Sequence, residues 1–391
     1  MVVGIDPRTP PRRPPKRSIA TVAPTATKAA KIPDNKGPNM IFPRYHDRVN
    51  AFRERRKEML IFLLSCGSDS YEYEYEQNKK NGQGSSEPSE ETDLEPATEP
   101  SSPASEPGQE PTGEWIQLSV GDTHNCALDA QGTAFCWGYS DAGQLQSSAE
   151  SFVEVEAGLW HSCARTATGE VRCWGCQGQD LGQCDVPMGQ YQSISTGQYH
   201  SCGLTSSDEI VCWGCGSDRD YGQCDSPQGT YSHIAAGGNH SCALTTTGEV
   251  ECWGCGGDNQ GQCEEPSGSF VEIQVGVAHS CARSEEGTVE CWGRSQFGET
   301  IPPDDTTFSQ LGLGHIHSCG VDDTQSVHCW GCNAGPEANL NQCEVVDGSF
   351  VYVDGGTGHS CGLTTEGDIV CWGCGADWRW DKGQCDTPTG F

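Results

Sequence analysis

One pattern recurs seven times between Trp115 and the C-terminal Phe391, and its strict register limits this chain to a repeat architecture. Each copy opens on an aromatic residue: Trp115, Phe152, Tyr191, Tyr231, Phe270, Phe308 and Phe350. Three residues on stands an aliphatic residue, and six on a Gly. Nine residues on comes a His: His124, His161, His200, His240, His279, His317 and His359. A Cys follows two residues later and a second Cys ten after that, running into Trp-Gly. A unit of about 39 residues is too small to bury a core alone, so the copies must pack on one another.

The spacing predicts three short strands per copy. In "FVEIQV" the alternation places Val271, Ile273 and Val275 on one face. "HSCAL" and "EVECWG" flank a three-residue turn at Thr246, Thr247 and Gly248, whose third position needs a left-handed residue. The seven copies carry Gly132, Gly169, Asp208, Gly248, Gly287, Gln325 and Gly367 there. Asp tolerates that conformation, whereas Gln does not favour it, so the sixth hairpin is expected to turn differently. Counting outward from the turn sets the two cysteines of each hairpin directly opposite, within reach of a disulfide. The expected pairs are Cys126–Cys136, Cys163–Cys173, Cys202–Cys212, Cys242–Cys252, Cys281–Cys291, Cys319–Cys329 and Cys361–Cys371. Five copies add Cys176–Cys184, Cys215–Cys224, Cys255–Cys263, Cys332–Cys343 and Cys374–Cys385.

The Cys-x-x-Cys spacing also fits half of a zinc site. Copies one and five, however, lose both members of the second pair together, with Tyr139 and Arg294 in place of the leading cysteine. Two independent staples survive such a loss and a four-thiolate site does not. No βαβ pattern accompanies the motif, which argues against thioredoxin-like redox chemistry. Twelve pairs use 24 of the 25 cysteines and leave Cys66. So many bridges favour an oxidising, exported setting.

The chain carries a net charge of −32, and from Trp115 onward 37 acids face 7 bases. Nucleic acid is therefore excluded as a partner on electrostatic grounds. Residues 1–58 hold 14 bases and no period strong enough to fold, and read as a disordered extension, or as a mis-called start with the true one near Met40. In residues 59–66 a short apolar run ends in Leu63, Leu64, Ser65 and Cys66, after Arg53, Arg55, Arg56 and Lys57. This resembles a bacterial lipoprotein signal, and the resemblance implies acylation of Cys66 and a place at the outer membrane or cell surface. The run is too short to span a bilayer, so membrane contact would come through the lipid alone. Residues 67–114, rich in Glu, Ser and Pro with 13 acids, read as a disordered acidic tether.

Residues 115–391 form the folded domain, with an all-β fold expected: a seven-bladed β-propeller of three-stranded, stapled blades. Phe391 occupies the aromatic slot of an eighth copy, so the first strand is expected to lie beside the chain's end and complete the ring. The string in "GDTHNCALDAQGTAFCWGYSDAGQL" (121–145) resembles the regulator-of-chromosome-condensation repeat, a family of seven-bladed propellers. In unit length the copies are similar to the secreted bacterial β-lactamase inhibitor protein of that fold.

A residue present in every copy builds scaffold. The seven histidines are read as hydrogen-bonded between blades, and the Cys-Trp-Gly tryptophans as inter-blade packing. The small residues opposite those tryptophans, from Ala127 to Gly362, are read as making room for a ring. Binding then falls to positions that differ between copies. Trp160 and Tyr199, each just before a His, and Trp378, Arg379 and Trp380 in the last stapled loop, are the candidate ligand-binding residues. The sequence points to a monomeric binding module for a protein or glycan, with no catalytic residues, cofactor or metal called for. A secreted inhibitor or subunit acting on an extracytoplasmic enzyme is the second reading, and an enzyme with an unrecognised site the third.

Overall fold

The computed structural model describes residues 114–388 apart from 147, 178–179, 217–219, 258, 333–338 and 376–380. These residues build seven three-stranded antiparallel sheets, each ordered as the chain runs. Blade one is β1 (Trp115–Val120), β2 (His124–Asp129) and β3 (Ala134–Gly138). Blade two is β4 (Glu154–Ala157), β5 (Ser162–Arg165) and β6 (Val171–Trp174). Blade three is β7 (Tyr191–Thr196), β8 (Ser201–Thr205) and β9 (Ile210–Trp213). Blade four is β10 (Tyr231–Ala236), β11 (Ser241–Thr245) and β12 (Val250–Trp253). Blade five is β13 (Glu272–Val275), β14 (His279–Arg283) and β15 (Val289–Gly293). Blade six is β16 (Phe308–Leu313), β17 (Ser318–Asp322) and β18 (Val327–Trp330). Blade seven is β19 (Phe350–Gly355), β20 (His359–Thr364) and β21 (Ile369–Gly373).

The first strands of successive blades touch, β1 with β4 and so on round to β19 with β1, so they are the inner strands of a closed ring. Closure exchanges no strand, because β1 stays in its own sheet. At each junction the opening aromatic residue donates its N–H to the turn carbonyl of the preceding blade, as Phe152 does to Gly132 at 2.8 Å. At the closing junction Trp115 does the same to Gly367 at 3.3 Å. The slot of Phe391 lies outside the described residues.

All twelve expected disulfides are present. The hairpin set joins directly opposed residues, such as Cys242 and Cys252 with Cα atoms 4.1 Å apart. The loop set is wider, 6.3 Å at Cys176–Cys184. The sixth hairpin does not turn differently. Gln325 takes the left-handed conformation at φ 66°, and Cys319 still faces Cys329. Asp322 makes this possible, since its Oδ1 accepts the N–H groups of Thr324 at 2.8 Å and Ser326 at 2.9 Å. Asp208 adopts φ 64° at the matching place.

Strict alternation fails at the start of the inner strands. Val271 is exposed, while Phe270 and Ile273 are both buried. Residues three apart share a face only if one extra residue is inserted between them, and the register of β1, β7, β10, β16 and β19 slips at this point. The bulge turns the opening aromatic ring into the core. The small residues of the second strands make room for this ring, not for the Trp: a Cβ on Gly203 would stand 2.4 Å from the Tyr191 ring.

Every hydrophobic cluster spans two blades. Cys126, Leu128 and Ala134 of blade one pack with Phe152, Val155 and Ala164 of blade two. At ring closure Leu363 and Ile369 pack with Trp115, Leu118 and Trp137. A blade cut from its neighbours would lose its core.

Candidate functional site

Three circular sets of contacts hold the ring, and they account for the residues present in every copy. Each His donates or accepts at Nε2 to the residue following the next blade's His. His124 meets Ser162 at 2.8 Å, His161 meets Ser201 at 2.8 Å, and the pattern runs on to His359 with Asn125 at 2.8 Å. Ser162 and Ser360 spend their hydroxyl protons on the carbonyls of Gln144 and Gln342, at 3.0 Å each. At these junctions the histidine is therefore the donor through Nε2–H, which leaves its Nδ1 a bare acceptor. At closure Asn125 has the same two roles in one amide, since Oδ1 takes the bond from His359 and Nδ2 donates to the Gln384 carbonyl at 2.8 Å. All seven rings are fully buried, and burial holds each imidazole below its ordinary range, to about 3 at His124, His161, His240 and His359. The structure thus has them as neutral inter-blade links.

The tryptophans form the second set. Trp213 Nε1 donates to the Gln183 carbonyl at 2.9 Å, and Trp137 to that of Gln384 at 3.0 Å, each reaching into the preceding blade. The glycines six residues into each copy form the third. A Cβ on Gly121, Gly158, Gly197, Gly237, Gly276, Gly314 or Gly356 would lie 2.6 Å or less from the carbonyl oxygen of the next such glycine. Only the absence of a side chain lets seven inner strands approach this closely.

In blade five an ion pair replaces the missing staple. Arg294 Nε meets Glu299 Oε1 at 2.9 Å, with the two side chains 4% and 0% exposed. Arg294 Nη2 also donates to the His315 carbonyl of blade six at 2.7 Å.

The inner strands bring a second group together that sequence reasoning did not single out. Side chains of Gln117, Glu154, Glu156, Glu272, Gln310 and Asp354 project from β1, β4, β13, β16 and β19 to bond the neighbouring inner strand, and Tyr352 packs against the closing-junction cluster. Glu154 accepts the Ile194 N–H at 3.0 Å and pairs with Arg165 at 2.6 Å, and Glu272 does the same with Leu311 and Arg283. Asp354 Oδ2 accepts the Val120 N–H at 3.0 Å across the closing junction. Burial pushes Asp354 up to about 7, against the two backbone N–H groups that favour its charge. Burial, then the charges of Glu154 and Asp354, hold Glu156 well above the carboxylate range. At one mouth Gln198 of blade three donates to Asp122 of blade one at 2.6 Å, and burial raises Asp122 to about 6. The signal available in the sequence was variation between copies at the third and fifth inner-strand positions. Among the described residues no group of three His, Cys, Asp or Glu is placed to hold a metal ion.

Of the candidates named from the sequence, Trp160 is half-buried and meets Tyr139 edge-on, with ring centroids 6.2 Å apart. Tyr199 is only 5% exposed. Both lie at the mouth where first strands turn into second strands. Trp378, Arg379, Trp380 and the anchor residue Cys66 lie outside the described residues.

Five stretches match the regulator of chromosome condensation (RCC1) repeat: 115–144, 152–183, 191–223, 231–262 and 270–299, one in each of blades one to five. The domain is a seven-bladed propeller, five blades of which match that repeat. Among solved structures it is similar to the ectodomain of the receptor kinase CR4 from Physcomitrella patens, at 24% identity over 67% of this chain and 74% of that one, with a TM-score of 0.54. It is also similar to the CRINKLY WD40 ectodomain of the receptor kinase ACR4 from Arabidopsis thaliana, at 23% identity over 68% and 97%, TM-score 0.53. Prp20p from Saccharomyces cerevisiae matches at 19% identity over 65% and 84%, TM-score 0.51. These likenesses establish the fold. No curated protein matches the sequence. This propeller carries its hairpin disulfides within the blades.

Proposed function

We propose that this protein is an exported, lipid-anchored propeller that holds a protein or glycan on one mouth of its ring. One observation carries the reading: the polar side chains present in every copy are consumed by links within and between blades. Recognition is left to residues that differ between copies, Trp160 among them. Twelve disulfides suit an extracytoplasmic compartment, and two of the similar structures are ectodomains. Cys66, at the end of a lipoprotein-type box, is the proposed anchor, with residues 67–114 as the tether from a bacterial outer membrane or cell surface.

Intact mass before and after reduction, followed by alkylation, tests export and anchoring together. The expected result is 24 protected cysteines and one acylated residue, Cys66. Two dozen freely alkylatable thiols would overturn it. Capture from a glycan array and from a panel of purified cell-surface proteins tests binding. Trp160→Ala and Trp378→Ala are expected to reduce capture at least tenfold, and full capture by both variants would refute this choice of mouth. Loss of activity of a captured enzyme would instead support the inhibitor reading.

A further inference from the structure

The mouth opposite Trp160, where the inner strands begin, carries an apolar arc that the fold does not require. The residue after the opening aromatic is the bulge position. In blades three, four and six it is Gln192, Ser232 or Ser309, and its side chain donates to a carbonyl of the second strand. Gln192 donates to Thr205 at 2.8 Å, Ser232 to Thr245 at 3.2 Å, and Ser309 to Val321 at 3.0 Å. In blades seven, one and two the same position holds Val351, Ile116 and Val153, which are 49%, 54% and 48% exposed. These three blades are consecutive, since β19 touches β1 and β1 touches β4. Elsewhere at this position only blade five has an exposed aliphatic residue, Val271. Three neighbouring blades therefore forgo a hydrogen bond that the architecture offers and present branched aliphatic side chains to water.

Carboxylates surround this arc. Glu114 precedes β1, Glu150 precedes β4, and Glu170, Glu366 and Asp368 sit on the hairpin turns of blades two and seven, all exposed. The described base beside them, Arg172, is bound to Glu150 at 3.3 Å and Glu170 at 2.9 Å. The other described arginines, Arg165, Arg283 and Arg294, are likewise held in ion pairs.

We infer that the blade seven–one–two sector of this mouth docks a cationic protein segment bearing aliphatic side chains. The aliphatic residues would seat in the arc of Val351, Ile116 and Val153 while lysine or arginine meets the surrounding acids. The charge excludes an acidic partner, and the apolar arc distinguishes docking from simple attraction of cations. This surface is independent of the Trp160 mouth proposed above, so either can fail alone.

The test uses the full chain and short labelled peptides of lysine and glycine, with and without central leucines. The variant Ile116→Ser/Val153→Ser/Val351→Ser gives the arc the residue that blades four and six already use. In blades one and seven the new hydroxyls face the carbonyls of Leu128 and Leu363, as Ser232 faces Leu244. Its fold and thermal midpoint are expected to match the parent's. The leucine-bearing peptide is expected to bind the parent, to weaken with added salt, and to lose at least tenfold affinity for the triple variant. Glu170→Gln/Glu366→Gln is expected to weaken binding severalfold while leaving the thermal midpoint in place. Equal binding of the leucine-free peptide, equal binding of a leucine peptide with glutamate in place of lysine, or no loss in the triple variant would each overturn the inference. A dimer in sedimentation that the triple variant abolishes would also overturn it, by assigning the arc to a second copy.

Discussion

Lowering the pH from 7 to 5 should destabilise this domain steeply, through the histidine ring. All seven imidazoles are buried and bonded through Nε2 to the next blade, and burial depresses their affinity for protons. In the unfolded chain the same groups protonate near pH 6.5. The unfolded state therefore binds more protons below that pH, and stability falls as pH falls, until folded imidazoles such as His124 and His200 protonate, near 3 and 4 respectively. Between pH 7 and 5 each ring loses about 2 kcal/mol and the seven together about 13 kcal/mol.

The channel acids work in the opposite direction. Asp354 and Asp122, raised to about 7 and about 6, take up protons in the folded state over this range. Together they return about 4 kcal/mol, and Glu156 adds to this. A net loss on the order of 8 kcal/mol remains, comparable to the whole stability of an ordinary domain. Guanidinium denaturation at pH 7, 6 and 5 with the disulfides intact, followed by tryptophan fluorescence, measures it. Stability that is flat or rising from pH 7 to 5 would refute the assignment of neutral, buried histidines. So would titration above pH 6, in the folded protein, of imidazole NMR signals assigned to any of the seven junction histidines.

Arg294→Ala leaves Glu299 buried without its cation and should cost about 3–5 kcal/mol in chemical denaturation, more than a surface charge deletion would. Gly158→Ala places a Cβ 2.5 Å from the Gly197 carbonyl, backbone that cannot step aside, and should lower stability by at least about 2 kcal/mol. Replacing both cysteines of the Cys163–Cys173 staple by serine should cost about 2–3 kcal/mol, read as a lower denaturation midpoint. Asn125→Ser is expected to destabilise far less than Asn125→Leu in a thermal melt, because Ser162, Ser318 and Ser360 make the same two bonds at their junctions.

The sequence alone determined the blade count, the hairpin register and all twelve disulfides, because these are local facts. A turn residue, two cysteines counted outward from it, and seven repetitions are legible without knowing what packs on what. The histidines' inter-blade bonding was legible for a related reason, since a group required in every copy must serve the junction that every copy shares. Only the tertiary structure decided what depends on neighbours. The bulge that sends Phe350 inward and Val351 outward arises where an inner strand must bury an aromatic ring against the preceding blade, and period-two counting carries no term for that. Gln325 took a turn its own propensity disfavours because the Asp322 carboxylate holds the turn's N–H groups. The raised carboxylates of Glu156 and Asp354 exist only because ring closure brings β4 and β19 to the same channel, nearly two hundred residues apart in the chain. Burial and proximity across that distance are set by the closed ring, and no local stretch of sequence encodes them.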